Sequence, residues 1–146
     1  MKSLLFRIGK KSKKAFYYEI DEKKKNKVLK DYYQLIKKNK KIIIKENKKD
    51  IKNAYNKKIK ENLINRLILN DRKILDIINS VKKIIKLKDP TNKILEKWKR
   101  PNGLNISKIT IPIGVIGVIY ESRPNVTCDV ASLCIKSGNV AIFIVL

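Results

Sequence analysis

The feature that most restricts the fold of this chain is a pair of apolar, β-branched runs on either side of a helical stretch. The first run is Gly114–Tyr120, the helical stretch is 125–137, and the second run is Val140–Leu146. Such runs are typical of strands buried in a parallel sheet. A strand, a helix and a second strand in this order predict a βαβ unit, the first of a doubly wound parallel sheet.

The helix between the two runs has recognisable ends. Asn125 or Thr127 is predicted to cap its start, and Gly138 occupies the position that commonly follows a helix end. The predicted buried face of this helix carries Val130, Leu133 and Cys134.

Residues 1–88 are predicted to be helical, because apolar residues recur at helical spacing between lysines. Asp21 and either Asn70 or Asp71 are candidate N-caps, and Asp89-Pro90 ends the last helix because a residue before proline avoids the helical region. The predicted helices are 22–38, 41–55, 60–69 and 72–87. The predicted apolar stripes are Val28, Tyr32, Leu35 and Ile36; Ile43, Ile44, Ile51 and Tyr55; and Ile74, Ile77, Ile78, Val81 and Ile85.

Between the helices and the βαβ unit, Pro101-Asn102-Gly103 predicts a turn and 105–112 a half-buried strand. The predicted fold class is therefore α/β: an amino-terminal helical segment, then a strand, then the first βαβ unit of a parallel sheet. We divide the chain into a lysine-rich helical segment, 1–100, and the start of a dinucleotide-binding α/β domain, 101–146.

The formal charge of +23 is very uneven. Residues 1–100 hold 33 basic and 11 acidic residues, whereas residues 101–146 hold three and two. The sequence contains 31 Lys, 25 Ile and 14 Asn but only five Arg, a bias typical of A/T-rich codons, whereas phosphate-binding surfaces favour Arg. We expect nonspecific polyanion binding at low salt, and a basic helical nucleic-acid-binding protein remains the alternative function.

The two cysteines, Cys128 and Cys134, do not have metal-ligand spacing, and the sequence has no His, so no metal site is expected. Both are predicted to be small buried hydrophobes, although the helix N-terminus is expected to lower the pKa of the Cys128 thiol somewhat. The longest uncharged stretch, Ile109–Tyr120, is far shorter than the roughly 20 residues of a membrane span. The opening residues are too briefly apolar for a secretory signal. A cytoplasmic protein is expected.

The turn after the first run is the best candidate for a ligand site, because open α/β sheets bind ligands at the carboxyl ends of their strands. Asn125 can place a carboxamide where negative charge develops, or it is a plain N-cap. Arg123 can meet a phosphate or can pair with Glu121.

Two adjoining stretches, Ile113–Thr127 and Asp129–Asn139, resemble a known family. They follow the pattern P-x-G-V-I-G-V-I-Y-E-x-R-P-N-V-T-x-D-x-A-x-L-C-x-K-x-G-N without a gap from Pro112 to Asn139. This pattern is similar to the signature of γ-glutamyl phosphate reductase, or glutamate-5-semialdehyde dehydrogenase, in the aldehyde dehydrogenase superfamily. Weaker matches extend the resemblance over roughly residues 14–143.

The resemblance implies an NADPH-dependent oxidoreductase of proline biosynthesis. In that family a cysteine thiolate displaces phosphate from γ-glutamyl phosphate to form a thioester, and hydride from the nicotinamide releases glutamate 5-semialdehyde. The resemblance places Ile119, Tyr120, Glu121 and Ser122 along NADP, and it assigns Asn125 the catalytic role of holding the thioester oxygen. A homo-oligomer is also expected.

The resemblance ends after the second predicted strand. The family continues there with an arginine and paired glycines, whereas this sequence reads Ala141–Leu146. We therefore expect a truncated amino-terminal portion without the catalytic domain or its nucleophilic cysteine, inactive alone. It would be either a frameshifted remnant or a domain that a second polypeptide completes. A third hypothesis is an inert remnant that associates with full-length subunits through its exposed strands.

Overall fold

A layer of helices precedes two separate two-stranded sheets in the computed structural model, which describes residues 2–145. The helices are α1 (Lys2–Phe16), α2 (Glu22–Lys38), α3 (Lys40–Asn56), α4 (Glu61–Leu67), α5 (Asp71–Lys86) and α6 (Pro124–Lys136). The strands are β1 (Ile94–Lys99), β2 (Asn105–Ile109), β3 (Val115–Tyr120) and β4 (Val140–Val145).

Helices α2 and α5 form the centre of the hydrophobic core. Leu29 of α2 and Val81 of α5 are both 0% exposed. The predicted N-caps Asp21 and Asn70 are confirmed, because each side chain accepts a hydrogen bond from the backbone N–H three residues further along. The remaining buried core residues around this contact are Ile36, Ile74, Ile77, Ile78 and Ile84.

The predicted stripe on α2 is confirmed at Ile36 but is wrong at Val28 and Leu35, and it omits the buried Leu29. Val28 and Leu35 are exposed, whereas Leu29 and Ile36 are buried. Both pairs are seven residues apart, which is two helical turns, so periodicity alone does not choose between them. On α5 the predicted stripe is confirmed, except that Ile84 is buried more deeply than Ile85.

Helix α3 packs through small and polar side chains rather than through the whole predicted stripe. Its buried residues are Asn47 and Ala54, while Tyr55 is exposed. The Asn47 carboxamide donates to the carbonyl of Leu67 at 3.0 Å and accepts the N–H of Leu69 at 2.7 Å. This pair of hydrogen bonds fixes the connection after α4, which is shorter than the predicted helix 60–69.

Strand β1 has no counterpart among the predicted elements. It pairs antiparallel with β2, from Ile94 opposite Ile109 to Lys99 opposite Asn105, and so joins residues on both sides of the predicted division at residue 100. Every β1 side chain is exposed. The turn at Gly103 is confirmed, with its N–H donating to the Arg100 carbonyl at 2.9 Å. The predicted strand 105–112 ends early, at Ile109, and within β2 only Ile106 is half-buried.

The predicted βαβ unit is confirmed. Strands β3 and β4 are parallel, from Val115 beside Val140 to Tyr120 beside Val145, and α6 connects them. Gly138, with φ of +69°, follows the end of α6 as predicted. The predicted N-caps are wrong, because α6 begins at Pro124 and Arg123 is the N-cap. Proline favours the first helical position, where its missing N–H costs nothing.

Strand β3 is half-buried on one face and exposed on the other, whereas β4 is half-buried on both faces over residues 140–143. Residues 116, 118 and 120 are half-buried toward α6, whereas residues 115, 117 and 119 are exposed. The prediction of strands buried on both faces is therefore wrong for β3, whose exposed side is the outer face of the sheet. On α6 the predicted buried face is also partly wrong: Leu133 is exposed, and Ser132 and Lys136 are buried together with Cys134. Leu146, the last residue of the predicted second strand, lies outside the described residues.

Candidate cofactor site at the turn between β3 and α6

The turn from β3 into α6 lies at the carboxyl ends of both parallel strands. Tyr120, the last residue of β3, is the register partner of Val145 in β4. The chain then bends through residues 121–123 and enters α6. The carboxyl ends of strands are the edge at which open α/β sheets bind ligands, so the position of this turn favours a site here.

The backbone of the turn contains a conformation that is unusual for its residue type. Ser122 has φ of 47°, in the left-handed region that residues with a Cβ seldom adopt. The next residue, Arg123, already accepts the N–H of Val126 at 3.1 Å. Left-handed non-glycine residues cluster at ligand-binding segments, where the surrounding structure holds them.

Asn125 is the second residue of α6 and its side chain is exposed. Because Arg123 is the N-cap, the alternative role of Asn125 as an N-cap is excluded. Among residues 2–145, the Asn125 carboxamide takes part in no hydrogen bond. Its N–H groups and the positive end of α6 therefore lie together beside the turn, an arrangement that suits an oxygen carrying negative charge.

The four predicted cofactor residues do not all present their side chains to the same side. Ile119 is 66% exposed on the outer face of the sheet. Tyr120 lies toward α6, where its hydroxyl is hydrogen-bonded to Thr127 and its ring meets Phe143 edge-on at 6.1 Å. Glu121 is exposed and Ser122 is half-buried. Because the Tyr120 side chain is engaged in these contacts, only its backbone is free to contact a ligand at the carboxyl ends of the strands.

Of the two alternatives for Arg123, the ion pair with Glu121 does not form in the described part of the chain. Both side chains are exposed. The guanidinium of Arg123 is therefore not held by its neighbour.

Cys128 lies in the second turn of α6 and is packed against the core. Burial raises the pKa of its thiol, a hydrogen bond with Tyr32 opposes this, and the Asp129 carboxylate raises it further. The expectation of a lowered pKa for the Cys128 thiol is therefore wrong. Burial likewise raises the pKa of the Cys134 thiol. Cys134 is buried as predicted, whereas Cys128 is only half-buried.

Tyr32 of α2 contacts the same thiol from the other side. Its pKa is raised above the ordinary tyrosine value, chiefly by burial, then by the hydrogen bond with Cys128 and the nearby negative groups. A second contact between the layers joins Ser80 of α5, whose hydroxyl donates to the Asp129 carboxylate at 2.7 Å. These contacts fix the side of α6 that faces the helical layer.

Two buried lysines and a half-buried asparagine, which were not singled out by the sequence patterns, hold the elements around the site. Lys136, 2% exposed, donates from Nζ to Asn26 at 2.8 Å and to the Ile85 carbonyl at 3.2 Å. Lys25 is buried against Asp89. The third, Asn139, stands in the family pattern without an assigned role. Its carboxamide oxygen accepts the N–H of Gly114 at 2.8 Å, which joins the starts of the two parallel strands.

A cavity of about 1080 Å³ lies elsewhere, between the α1–α2 connection and the β4 side of α6. Its lining includes Phe16, Ile20, Lys25, Cys134 and Phe143. None of the five predicted site residues lines it. Of the two lysines that line this cavity, Lys25 is paired with Asp89 and Lys24 is exposed. The turn remains the better candidate site.

Within residues 2–145, no group of three or more His, Cys, Asp or Glu side chains is arranged to hold a metal ion. Over the same range, none of the helices is both long enough and apolar enough to cross a membrane.

Comparison with known proteins gives a consistent result. No protein-family model matches the chain. It is 40% identical over 140 residues to a γ-glutamyl phosphate reductase of Clostridium tetani, and 42% identical over 144 residues to one of Clostridium botulinum. These matches cover 94% and 97% of the chain but only 33% and 34% of the relatives.

Solved structures agree. The crystal structure of γ-glutamyl phosphate reductase from Thermotoga maritima matches 97% of the chain with a TM-score of 0.91 and 36% identity, over 34% of its own length. The Saccharomyces cerevisiae enzyme matches 96% with the same TM-score of 0.91 and 31% identity, over 36% of its length.

Over nearly its whole length the chain is similar to the amino-terminal portion of γ-glutamyl phosphate reductases. It spans about a third of the length of the reductases that it matches. The family resemblance of the segment Pro112–Asn139 is thereby confirmed, and so is the α/β fold class. Because the structural match covers nearly the whole chain, the helical layer and the antiparallel β1–β2 pair belong to the reductase fold as well.

Proposed function

We propose that the chain supplies the cofactor-facing turn and one catalytic polar group of a cytoplasmic, NADPH-dependent γ-glutamyl phosphate reductase of proline biosynthesis. The observation that carries the proposal is the turn at 119–125, which combines the carboxyl end of β3, the start of α6 and an exposed carboxamide without a partner within residues 2–145. The substrate is γ-glutamyl phosphate and the product glutamate 5-semialdehyde. The names of the relatives support this assignment.

The residues of the turn fit a nicotinamide cofactor, which supplies the hydride when it is bound. Ile119 offers an apolar surface that is 66% exposed, and the Ser122 hydroxyl and the Glu121 carboxylate offer polar groups next to it. Tyr120 contributes through its backbone, because its hydroxyl is already bonded to Thr127. This combination of an apolar surface and a few polar groups is typical of cofactor sites.

Asn125 has the role of an oxyanion donor in this proposal. Its carboxamide N–H donates to the carbonyl oxygen of the γ-glutamyl group as negative charge develops there, and the positive end of α6 adds to this stabilisation. Cys128 and Cys134 do not act as the nucleophile, because burial keeps both thiols protonated at neutral pH. The attacking thiolate belongs to the part of the reductases that the chain does not match.

The reverse reaction tests the proposal. The chain is mixed with a polypeptide that carries the unmatched part of the Thermotoga maritima reductase, and phosphate-dependent reduction of NADP⁺ by glutamate 5-semialdehyde is followed. We expect no turnover from either polypeptide alone and measurable turnover from the mixture. Turnover that does not require the chain, or a mixture that stays inactive although the two polypeptides form a complex, would refute the proposal.

A further inference from the structure

The inference concerns the hydrogen bond between the hydroxyls of Tyr120 and Thr127, which closes a small loop around the candidate site. Tyr120 ends β3, and Thr127 is the fourth residue of α6. The residues between them include the left-handed Ser122 and the exposed Asn125. The bond thus ties the strand to the first turn of the helix on either side of the proposed oxyanion donor.

The start of α6 lacks the side-chain hydrogen bond that an N-cap residue usually provides. Its N-cap, Arg123, makes no side-chain cap hydrogen bond. A helix start without such a cap loses about 1 kcal/mol and frays more readily. A hydrogen bond from the fourth residue to the preceding strand replaces that support, because it holds the first turn against the sheet.

The surroundings make the Tyr120 hydroxyl a stable anchor. The Tyr120 ring is half-buried and meets Phe143 edge-on, with an interplanar angle of 89°. Phe143 belongs to β4, so the ring is fixed by the neighbouring strand as well as by its own. On the helical side, Cys128 follows Thr127 directly and is held by Tyr32 of α2. Both ends of the bond are therefore attached to packed elements.

We infer that Tyr120 and Thr127 are positioning residues, whose mutual hydrogen bond fixes the start of α6 and thereby the direction of the Asn125 carboxamide. The inference rests on the proposed function for its catalytic meaning, although the geometry it describes is independent of activity. It also changes the expected role of Tyr120. The hydroxyl orients the catalytic group through Thr127 and makes no contact with the cofactor.

The first test measures local opening of the chain itself. Hydrogen exchange is followed by mass spectrometry at low concentration for Tyr120→Phe, Thr127→Val, the double variant and Thr127→Ser. The amide of Val126, which donates to Arg123, and its neighbours in the first turn of α6 report on the bond. Tyr55→Phe serves as the control, because Tyr55 is exposed on α3.

We expect Tyr120→Phe and Thr127→Val each to speed exchange in this turn by about tenfold, since one hydrogen bond contributes about that factor to a local equilibrium. The double variant should exchange no faster than either single variant, and Thr127→Ser should match the parent chain. Unchanged exchange, or effects that add in the double variant, would overturn the inference. The urea midpoint of each variant reports its global stability, so faster exchange at an unchanged midpoint identifies local opening of this turn.

The second test uses the mixture with the complementary reductase polypeptide. We expect Tyr120→Phe and Thr127→Val to lower kcat while KM for NADP⁺ changes little, with recovery in Thr127→Ser. An unchanged kcat in both variants would overturn the inference. A parent mixture that forms a complex but has no activity would instead refute the proposed function, and the exchange data would then decide the inference alone.

Discussion

The ammonium of Lys136 lies 2.8 Å from Oδ1 of Asn26, and this hydrogen bond joins the last turn of α6 to α2. The same ammonium donates to the carbonyl of Ile85 in α5 and lies 3.4 Å from Glu22. One buried side chain thus connects the helix that carries Asn125 to both central helices. The position of the candidate site depends on this connection.

We expect Lys136→Met to destabilise the fold by about 1–3 kcal/mol, because Asn26 and the Ile85 carbonyl would lose their buried donor while the apolar stem is kept. Lys83→Met is the matched control. Lys83 is exposed on α5, and its substitution removes the same positive charge. Urea denaturation gives both values. Equal effects of the two substitutions would show that the buried hydrogen bonds contribute little.

A second prediction concerns the buried ion pair of Lys25 and Asp89, whose charged atoms are 2.9 Å apart. Removing one partner of a buried pair leaves an uncompensated charge, so Asp89→Asn should cost about 3 kcal/mol at neutral pH. Asp50→Asn, on the exposed side of α3, should change stability very little. Denaturant midpoints of the two variants are measured side by side. Similar midpoints for Asp89→Asn and Asp50→Asn would show that the ion pair is weak and screened by solvent.

The same pair determines a pH dependence. Burial raises the pKa of Asp89, but hydrogen bonds from Thr91 and Lys25 outweigh it, so the pKa is lowered below 3.8. A lowered pKa stabilises the fold above the unfolded-state value, and this contribution is lost as the pH falls through the folded-state value. Stability should therefore fall below about pH 4. The fall should be shallower in Asp89→Asn, and an identical acid profile in both chains would contradict the assignment.

The two thiols provide a third prediction. Their raised pKa and burial predict that Cys128 and Cys134 react with a thiol reagent more than about tenfold slower in the folded chain than in urea. Labelling should accelerate only as the pH rises above 9.0, the ordinary value from which both pKa values are raised. Rapid labelling of Cys128 at neutral pH would instead identify a thiolate and restore it as a candidate nucleophile.

The charge of +23 yields a fourth prediction, on polyanion binding. Most of the lysines lie on exposed helix surfaces, so DNA and heparin should bind at low salt without sequence preference. Because such binding arises from counterion release, the affinity should fall by about 10³-fold or more between 50 and 200 mM salt. Fluorescence anisotropy measures this slope. Salt-resistant binding that selects one DNA or RNA sequence would favour the alternative function, a nucleic-acid-binding protein.

The βαβ unit could be predicted because its signals are local. The two β-branched runs, Pro124 and Gly138 act within a few residues of the places where they occur. The error at the start of α6 has a local cause too, since both Asn125 and Pro124 favour a helix start and proline at the first helical position prevailed. The resemblance of the segment Pro112–Asn139 supplied the position of the candidate site.

The parts that could not be predicted depend on contacts between distant residues. Lys25 and Lys136 are buried, but nothing local distinguishes them from the other 29 of the 31 lysines. Strand β1 forms because β2 pairs with it, and its exposed, charged residues show no strand alternation. On α2, Val28 was predicted in place of Leu29 because the two offer the same periodicity, and only packing against α5 selects Leu29.

The most direct test of the central claim is the effect of Asn125→Ala on the reductase activity of the chain mixed with its complementary polypeptide. Loss of an oxyanion donor should lower kcat by about 10²–10³-fold. KM for NADP⁺ should stay nearly constant, and Asn53→Ala on the exposed side of α3 should have no effect. An unchanged kcat in Asn125→Ala, in a mixture that is active with the parent chain, would contradict the account.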